Sequence, residues 1–263
     1  EHMEGIRDMT GGKSMFMAVR EPLGVVFAAL AWNFPMHNMA TKLGPILASG
    51  CTAVIKPATK TPLSTMYLGE ILKKIDFPKG VLNFVAGDAK EIGKPLCESP
   101  IPAMLTMIGS TKGGLDMIRD SSTSVKRFSM ELGGNAPVIV TPSADLKAAA
   151  AHSMGNKMRC AGQTCVSPQR AFVHASVYDE FLRLCVEQGK TAKCGTLDED
   201  ANTGPMISRE AAGRMEELVR DAVEKGAVVE CGGKRPDDKK DGYYFLPTVL
   251  TNVTRDMKVF HEE

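Results

Sequence analysis

Gly24-Val25-Val26-Phe27-Ala28-Ala29-Leu30-Ala31 is a continuous apolar run. A strand with one wet face alternates apolar and polar residues, so an unbroken run of this length predicts a strand covered on both faces, as in a parallel sheet. Asn33-Phe34-Pro35 then turns the chain into a helical pattern from Met36 to Ser49, which Gly50 is placed to end. The same rhythm continues. Thr52 to Lys56 reads as a second strand, Pro62 to Ile75 as an amphipathic helix with proline in its first turn, and Val81 to Val85 as a third strand. A short helix over Lys90 to Cys97, a fourth strand over Ala103 to Ile108, a helix over Thr111 to Asp120 and a fifth strand over Lys126 to Leu132 follow. Strand, helix, strand in this order predicts right-handed βαβ units. Such a sheet binds ligands beyond the carboxyl ends of its strands. The polar residues there are Asn33, Lys56 with Thr59, Ser110 with Thr111, and Glu131. Residues 1 to 21, polar and Gly-rich, read as a loop or arm.

The second half begins near Gly133-Gly134-Asn135. Ala136 to Val140, Arg170 to His174, Val228 to Glu230 and Tyr243 to Leu250 read as strands. Asp145 to Lys157, Val177 to Lys193 and Glu210 to Lys225 read as helices, the last stopped by Gly226. The charged segment Pro236 to Gly242 reads as a solvated turn.

Composition narrows the function classes. The 263 residues are 43% hydrophobic and 24% charged with a net charge of +1, ordinary globular material. That balance leaves no electrostatic footprint for nucleic acid or an anionic membrane. No apolar run reaches the length of a membrane helix, and Glu1-His2-Met3-Glu4 does not open a signal peptide. The seven cysteines are irregularly spaced and include no C-x-x-C pair, which argues against a zinc site or disulfide framework and for a reducing, cytoplasmic compartment. His37, His152 and His174 lack metal spacing and read as structural.

Two loops hold candidate chemistry. Cys165 lies in the small-residue turn Gly162-Gln163-Thr164-Cys165, between a helix pattern and a strand pattern. Such a junction can present a thiol nucleophile together with its own backbone N–H as an oxyanion donor. It can equally hold a packed, inert thiol, and the loop alone leaves both readings open. No G-x-G-x-x-G or Walker A pattern occurs. The nearest Gly-rich turn, Gly109-Ser110-Thr111-Lys112-Gly113-Gly114, could seat a pyrophosphate at a helix N-terminus, or Ser110 could be a plain N-cap.

The chain resembles the NAD(P)-dependent aldehyde dehydrogenase superfamily, through stretches that keep that family's order and spacing. They are Pro22-Leu23-Gly24-Val25-Val26, Trp32-Asn33-Phe34-Pro35, Ile55-Lys56-Pro57-Ala58, Thr61-Pro62-Leu63, Gly109-Ser110-Thr111, Met130-Glu131-Leu132-Gly133-Gly134-Asn135, Gly162-Gln163-Thr164-Cys165, Asn202-Thr203-Gly204-Pro205 and His261-Glu262-Glu263. The resemblance runs over essentially the whole chain and is strongest to the succinate-semialdehyde-dehydrogenase-like branch. It implies an α/β fold with a Rossmann-type parallel-sheet cofactor domain at residues 1–132, lacking its N-terminal part. An α/β catalytic domain at residues 133–263 follows, lacking its C-terminal part. The full-length parent would be a homodimer or homotetramer.

The resemblance also assigns roles. Cys165 matches the nucleophile and Glu131 the general base that activates water. Asn33, with the Cys165 N–H, matches the oxyanion hole. Lys56 matches the residue that bonds the adenosine ribose. Trp32, Thr59, Gly109 and Ser110 fall at cofactor-binding positions, and Glu263 matches the glutamate on the nicotinamide ribose. Thr59 stands where many NAD-preferring members carry glutamate; with Lys60 beside it, this predicts use of NADP at least as well as NAD. Arg159 matches an arginine that grips the distal carboxylate of a semialdehyde. A second arginine of that branch falls at Thr41, which cannot replace it, and Lys42 is expected to face elsewhere on the helix. The implied substrate is a small aldehyde with an anionic or polar tail. Ser167 replaces a cysteine that forms a disulfide switch in some members, leaving only a Cys160–Cys165 bridge conceivable. Taken as a residue alone, Glu131 could be a structural carboxylate, Asn33 a turn residue and Arg159 a surface ion-pair partner. The second functional class is an inactive nucleotide-binding fragment or scaffold remnant. A coenzyme-A-acylating reaction is disfavoured by the hydrolytic base at Glu131.

Overall fold

The computed structural model describes residues 6–7 and 16–262. The chain divides by its internal contacts into two compact units, Glu1–Leu132 and Gly133–Glu263.

The first unit is built on a five-stranded parallel sheet. Its strands are β3 (Val25–Ala29), β4 (Thr52–Lys56), β5 (Leu82–Phe84), β6 (Pro102–Ile108) and β7 (Arg127–Glu131), in the spatial order β5-β4-β3-β6-β7. The first strand of the series is central and the order reverses beside it. This is the doubly wound arrangement, whose ligand site lies beyond the carboxyl ends at the reversal between β3 and β6. The apolar run at residues 24–31 is explained directly. Val26 and Ala28 pack with Leu43, Ile46 and Ile55, while Phe27 packs on the other face with Leu105, Cys97 and Met117. None of Val26, Phe27 and Ala28 exceeds 1% exposure. Burying a side chain the size of Phe27 contributes roughly 1.5–3 kcal/mol. Helices α1 (Pro35–Ala48), α2 (Leu63–Lys74), α3 (Lys94–Glu98) and α4 (Thr111–Asp120) connect the strands. A π-helical turn over Ala89–Gly93, capped by Asp88, leads into α3. In the N-terminal arm, Ile6–Arg7 (β1) pairs antiparallel with Phe16–Met17 (β2), where the sequence read only loop. The remainder of residues 1–15 lies outside the described residues, as does Glu263.

In the second unit β8 (Pro137–Val140) runs parallel to β9 (Arg170–Val173). Helices α5 (Leu146–Met158) and α6 (Tyr178–Gly189) share a core of Val140, Ala150, Met154, Phe181, Leu184 and Cys185. Helix α7 (Arg209–Glu224) precedes an antiparallel pair, β10 (Val228–Cys231) with β11 (Val249–Thr251), and α8 (Lys258–His261) closes the described chain. Two sequence expectations fail here. The strand read over Tyr243 to Leu250 shrinks to Val249–Thr251, because Pro247 has no N–H for a ladder and the backbone before it bonds to loops: Leu246 N–H donates to the Lys234 carbonyl at 3.0 Å, and the Tyr243 carbonyl accepts from Met206 N–H at 2.9 Å. The helix read to Lys193 ends at Gly189. That glycine lies against Cys231, where a Cβ would stand 2.7 Å from the sulfur, and the Thr191 hydroxyl donates to the Gln188 carbonyl at 2.7 Å to close the turn. Among the described residues no helix is long and apolar enough to cross a membrane.

Candidate active site

The residues singled out from sequence divide between the units. Asn33, Lys56, Thr59, Gly109, Ser110 and Glu131 belong to the first, and all lie at or just past the carboxyl ends of its strands. Arg159 and Cys165 belong to the second.

Asn33 follows β3. The Phe34 backbone N–H, which can only donate, reaches Asn33 Oδ1 at 3.1 Å, so the orientation of the amide is fixed. A second donor, Nδ2 of the buried Asn38, meets the same oxygen at 3.1 Å and also donates to the Ala31 carbonyl at 3.2 Å. The carboxamide is thus held by its acceptor end, and its donor end is the one suited to an oxyanion. Asn38, which sequence reading missed, holds this amide in place, and a polar residue five positions on, inside the apolar face of α1, was its signal. Trp32 is tied through its carbonyl, which accepts from Thr61 Oγ1 at 3.1 Å.

Lys56 ends β4 at 5% exposure, with Nζ donating to the Pro57 carbonyl at 3.2 Å. Burial pulls its pKa below the ordinary lysine value, and Asp88 pulls the other way. Asp88 is held in its carboxylate form by backbone N–H groups of Lys90 and Glu91. Thr59 is exposed and donates to the Gly87 carbonyl at 3.1 Å. Ser110 caps α4, accepting from Gly113 N–H at 3.1 Å. Gly109 and Gly113 are both packed by Met107, whose Cε would lie 2.4 and 2.7 Å from an added Cβ. The first turn of α4 carries no acidic residue. A buried lysine, a hydroxyl, and an uncapped-by-carboxylate helix start at a Rossmann reversal form a donor set that fits an anionic dinucleotide.

Glu131 ends β7, exposed, with its carbonyl accepting from Gly109 N–H at 3.0 Å. Its electrostatic neighbour is Lys42 on α1, buried to 8% exposure; burial lowers the Lys42 pKa and Glu131 opposes that. Lys42 does face away from Thr41, which is exposed and donates its hydroxyl back to the His37 and Asn38 carbonyls.

Cys165 is the one exposed thiol of the seven. Burial pushes Cys97 and Cys185 up to about 11, and also raises Cys160, Cys194 and Cys231, so these thiols hold their protons more tightly than an ordinary cysteine. The inert-thiol reading therefore suits these five, and Cys165 is set apart from them by its exposure. Helix α5 starts on the Asp145 cap, whose carboxylate accepts from Ala148 N–H, and runs to Met158. Arg159, exposed, caps its end. Cys160 and Ala161 then take left-handed backbone angles, φ 52° and 53°, and Gly162 follows at 74°. For the two non-glycine residues this costs on the order of 1–2 kcal/mol each. Ala161 offsets part of that by packing against the cluster of Met206, Ala212 and Phe245. The turn reverses the chain so that Cys165 rides on a tight bend, with Ser167 N–H donating to the Thr164 carbonyl at 3.0 Å and Thr164 N–H to the Gly162 carbonyl at 2.9 Å. Ser167 is fully buried. The histidines take local structural bonds: His152 with Asn156, and His174 capping the turn at Ala175–Val177.

The sequence profile of the aldehyde dehydrogenase family matches residues 1–263. A probable succinate-semialdehyde dehydrogenase (NADP(+)) of Sinorhizobium fredii is 43% identical over 94% of this chain and 50% of its own length. The succinate-semialdehyde dehydrogenase (NADP(+)) of Escherichia coli is 40% identical over 94% of this chain and 51% of its own. Among solved structures, succinate-semialdehyde dehydrogenase from Burkholderia pseudomallei superposes with a TM-score of 0.93 at 40% identity, covering all of this chain and 54% of that one. A betaine aldehyde dehydrogenase from Staphylococcus aureus in complex with NAD+ gives 0.93 at 33% identity, covering all of this chain and 53% of that one. The chain spans about half the length of the curated relatives it matches. With the profile matched from end to end and the α/β fold shared, this chain belongs to the aldehyde dehydrogenase family.

Proposed function

We propose that this chain carries the catalytic machinery of an NAD(P)-dependent aldehyde dehydrogenase, oxidising a small aldehyde with an anionic or polar tail to its acid. The observation that carries this reading is Cys165, the one exposed thiol, held on a bend just past a strained turn. Residues 1–132 serve as the cofactor-binding domain and residues 133–263 as the catalytic domain.

The Cys165 thiol gives its proton to solvent water and the thiolate sulfur adds to the aldehyde carbonyl carbon, forming a C–S bond and moving the carbonyl electron pair onto oxygen. The Asn33 amide and the Cys165 backbone N–H donate to that oxyanion. Lys56, Thr59, Gly109, Ser110 and Trp32 hold the dinucleotide, Glu263 takes its nicotinamide ribose, and Arg159 takes the anionic end of the substrate. When bound, the nicotinamide would supply the hydride acceptor for oxidation of the adduct on Cys165 to the thioester level. Glu131 then removes a proton from water as the water oxygen bonds to the thioester carbon, and the C–S bond breaks to return the thiol and release the acid. Lys42 is the cation electrostatically coupled to Glu131.

The test is aldehyde-dependent NAD(P)H formation by this chain. Folded protein that binds cofactor yet forms none with any small aldehyde would favour the remnant reading instead. Two results follow from particular residues. Asn33→Ala removes one oxyanion donor and lowers kcat by about 10²–10³-fold, with KM for cofactor nearly unchanged; equal losses in cofactor binding would contradict the role. Thr59→Glu places a carboxylate where a 2′-phosphate would lie and shifts the NADP/NAD ratio of kcat/KM toward NAD by about tenfold or more, a change of roughly 1.4 kcal/mol. An unchanged ratio would remove Thr59 from the cofactor site.

A further inference from the structure

Gln163 stands two residues before the nucleophile and makes bonds to two separate segments. Its Nε2 donates to the Cys160 carbonyl at 2.8 Å and to the Pro205 carbonyl at 3.3 Å. Its Oε1 accepts from Ile207 N–H at 2.9 Å. The Cys160 carbonyl also accepts from the Gln163 backbone N–H at 3.1 Å, so side chain and main chain of one residue close on the same left-handed position. Three successive residues, Cys160, Ala161 and Gly162, hold positive φ here. Such a run persists only where surrounding contacts over-determine it. Ala161 is packed against the cluster containing Met206, and Met206 lies between the two backbone groups that Gln163 holds. The apolar contact and the amide clamp therefore fasten the same turn to the same segment.

From this geometry we infer that Gln163 is a positioning residue for Cys165: it locks the 160–162 turn onto Pro205–Ile207 and so fixes the bend that presents the thiol. This rests on the reading of Cys165 as the nucleophile. A carboxamide is needed because the clamp uses two N–H donors and one acceptor at once. A carboxylate would set oxygen against the Cys160 and Pro205 carbonyls, and an apolar side chain would withdraw the Nε2 donor from both.

The test is amide hydrogen exchange of the full 263-residue chain, unmodified and as Gln163→Met, followed residue by residue, with NAD(P)H formation measured alongside. Thr164 and Ser167 donate within the nucleophile's bend, Ile207 donates to Gln163 itself, and His174 donates to Val140 elsewhere in the same unit. Exchange at Thr164 and Ser167 should rise at least tenfold in the variant, with His174 within twofold. Turnover per folded chain should fall at least tenfold in kcat with KM for cofactor within twofold, whereas loss of folded protein alone would leave kcat per folded chain unchanged. Gln163→Glu should behave like the methionine variant at neutral pH and regain protection at Thr164 as acidification returns a donor to the side chain. If only Ile207 exchanges faster, Gln163 braces the Pro205–Ile207 segment alone and the proposal is overturned. If Gln163→Met does not fold, Gln163→Asn, one methylene too short for the clamp, carries the same comparison. Should Cys165→Ala leave turnover intact, the nucleophile reading fails, while the exchange data still decide whether the clamp sets the bend.

Discussion

Cys165→Ala is expected to abolish aldehyde-dependent NAD(P)H formation, by on the order of 10⁴-fold or more, with the melting temperature staying within a few degrees. Removing a nucleophile from a covalent mechanism takes away the only path to the acyl intermediate, and losses of that order are typical of such deletions. The stability expectation comes from exposure: the thiol is at the surface and contributes little packed area. The same substitution at Cys97 or Cys185 has the opposite profile, since both are buried with thiols pushed up to about 11 and serve as small apolar groups. Kinetics and melting curves on the three variants separate the roles. Retained activity in Cys165→Ala would remove the basis of the functional reading.

Glu131→Gln gives the second large effect, and its form is more informative than its size. Steady-state turnover falls by about 10²–10⁴-fold, the range for a positioned general base. The first hydride transfer needs no activated water, so the variant should release a burst of about one NAD(P)H per chain and then stall as the acyl-enzyme. Stopped-flow absorbance resolves burst from steady state. A variant that loses burst and steady state together would place Glu131 in thiol deprotonation rather than in hydrolysis. Neutralising Glu131 also removes the group that opposes burial at Lys42, so the Lys42 pKa should fall further.

Much of the frame was legible because it rests on local patterns. The apolar run at residues 24–31 was a strand buried on both faces, and Thr52–Lys56 and Thr111–Asp120 formed where periodicity and capping placed them. The failures share a cause. Tyr243 to Leu250 has strand composition, but Pro247 cannot join a ladder and the backbone finds partners in loops remote in sequence. Helix α6 ends at Gly189, where the chain lies against Cys231 from a strand far along the sequence.

The candidate site divides in the same way. Asn33, Lys56, Ser110 and Glu131 were visible as polar groups at strand ends. Their supporting residues were not. Asn38 reads as a polar interruption of a helix until its amide is seen holding Asn33. Lys42 reads only as a neighbour of Thr41 that faces elsewhere on the helix, until it is found buried and coupled to Glu131. Gln163 sits in plain view within the Gly-Gln-Thr-Cys turn, but two of its partners, Pro205 and Ile207, are more than forty residues away in sequence. Nothing local signals a bond of that span.

The acyl group itself offers the most direct test of the central claim. Glu131→Gln chain mixed with aldehyde and cofactor, acid-quenched after the burst and digested, should show the acyl mass on the peptide carrying Cys165 and on no other cysteine. NAD(P)H formed with Cys165 unmodified, or an acyl group on a different thiol, would contradict it.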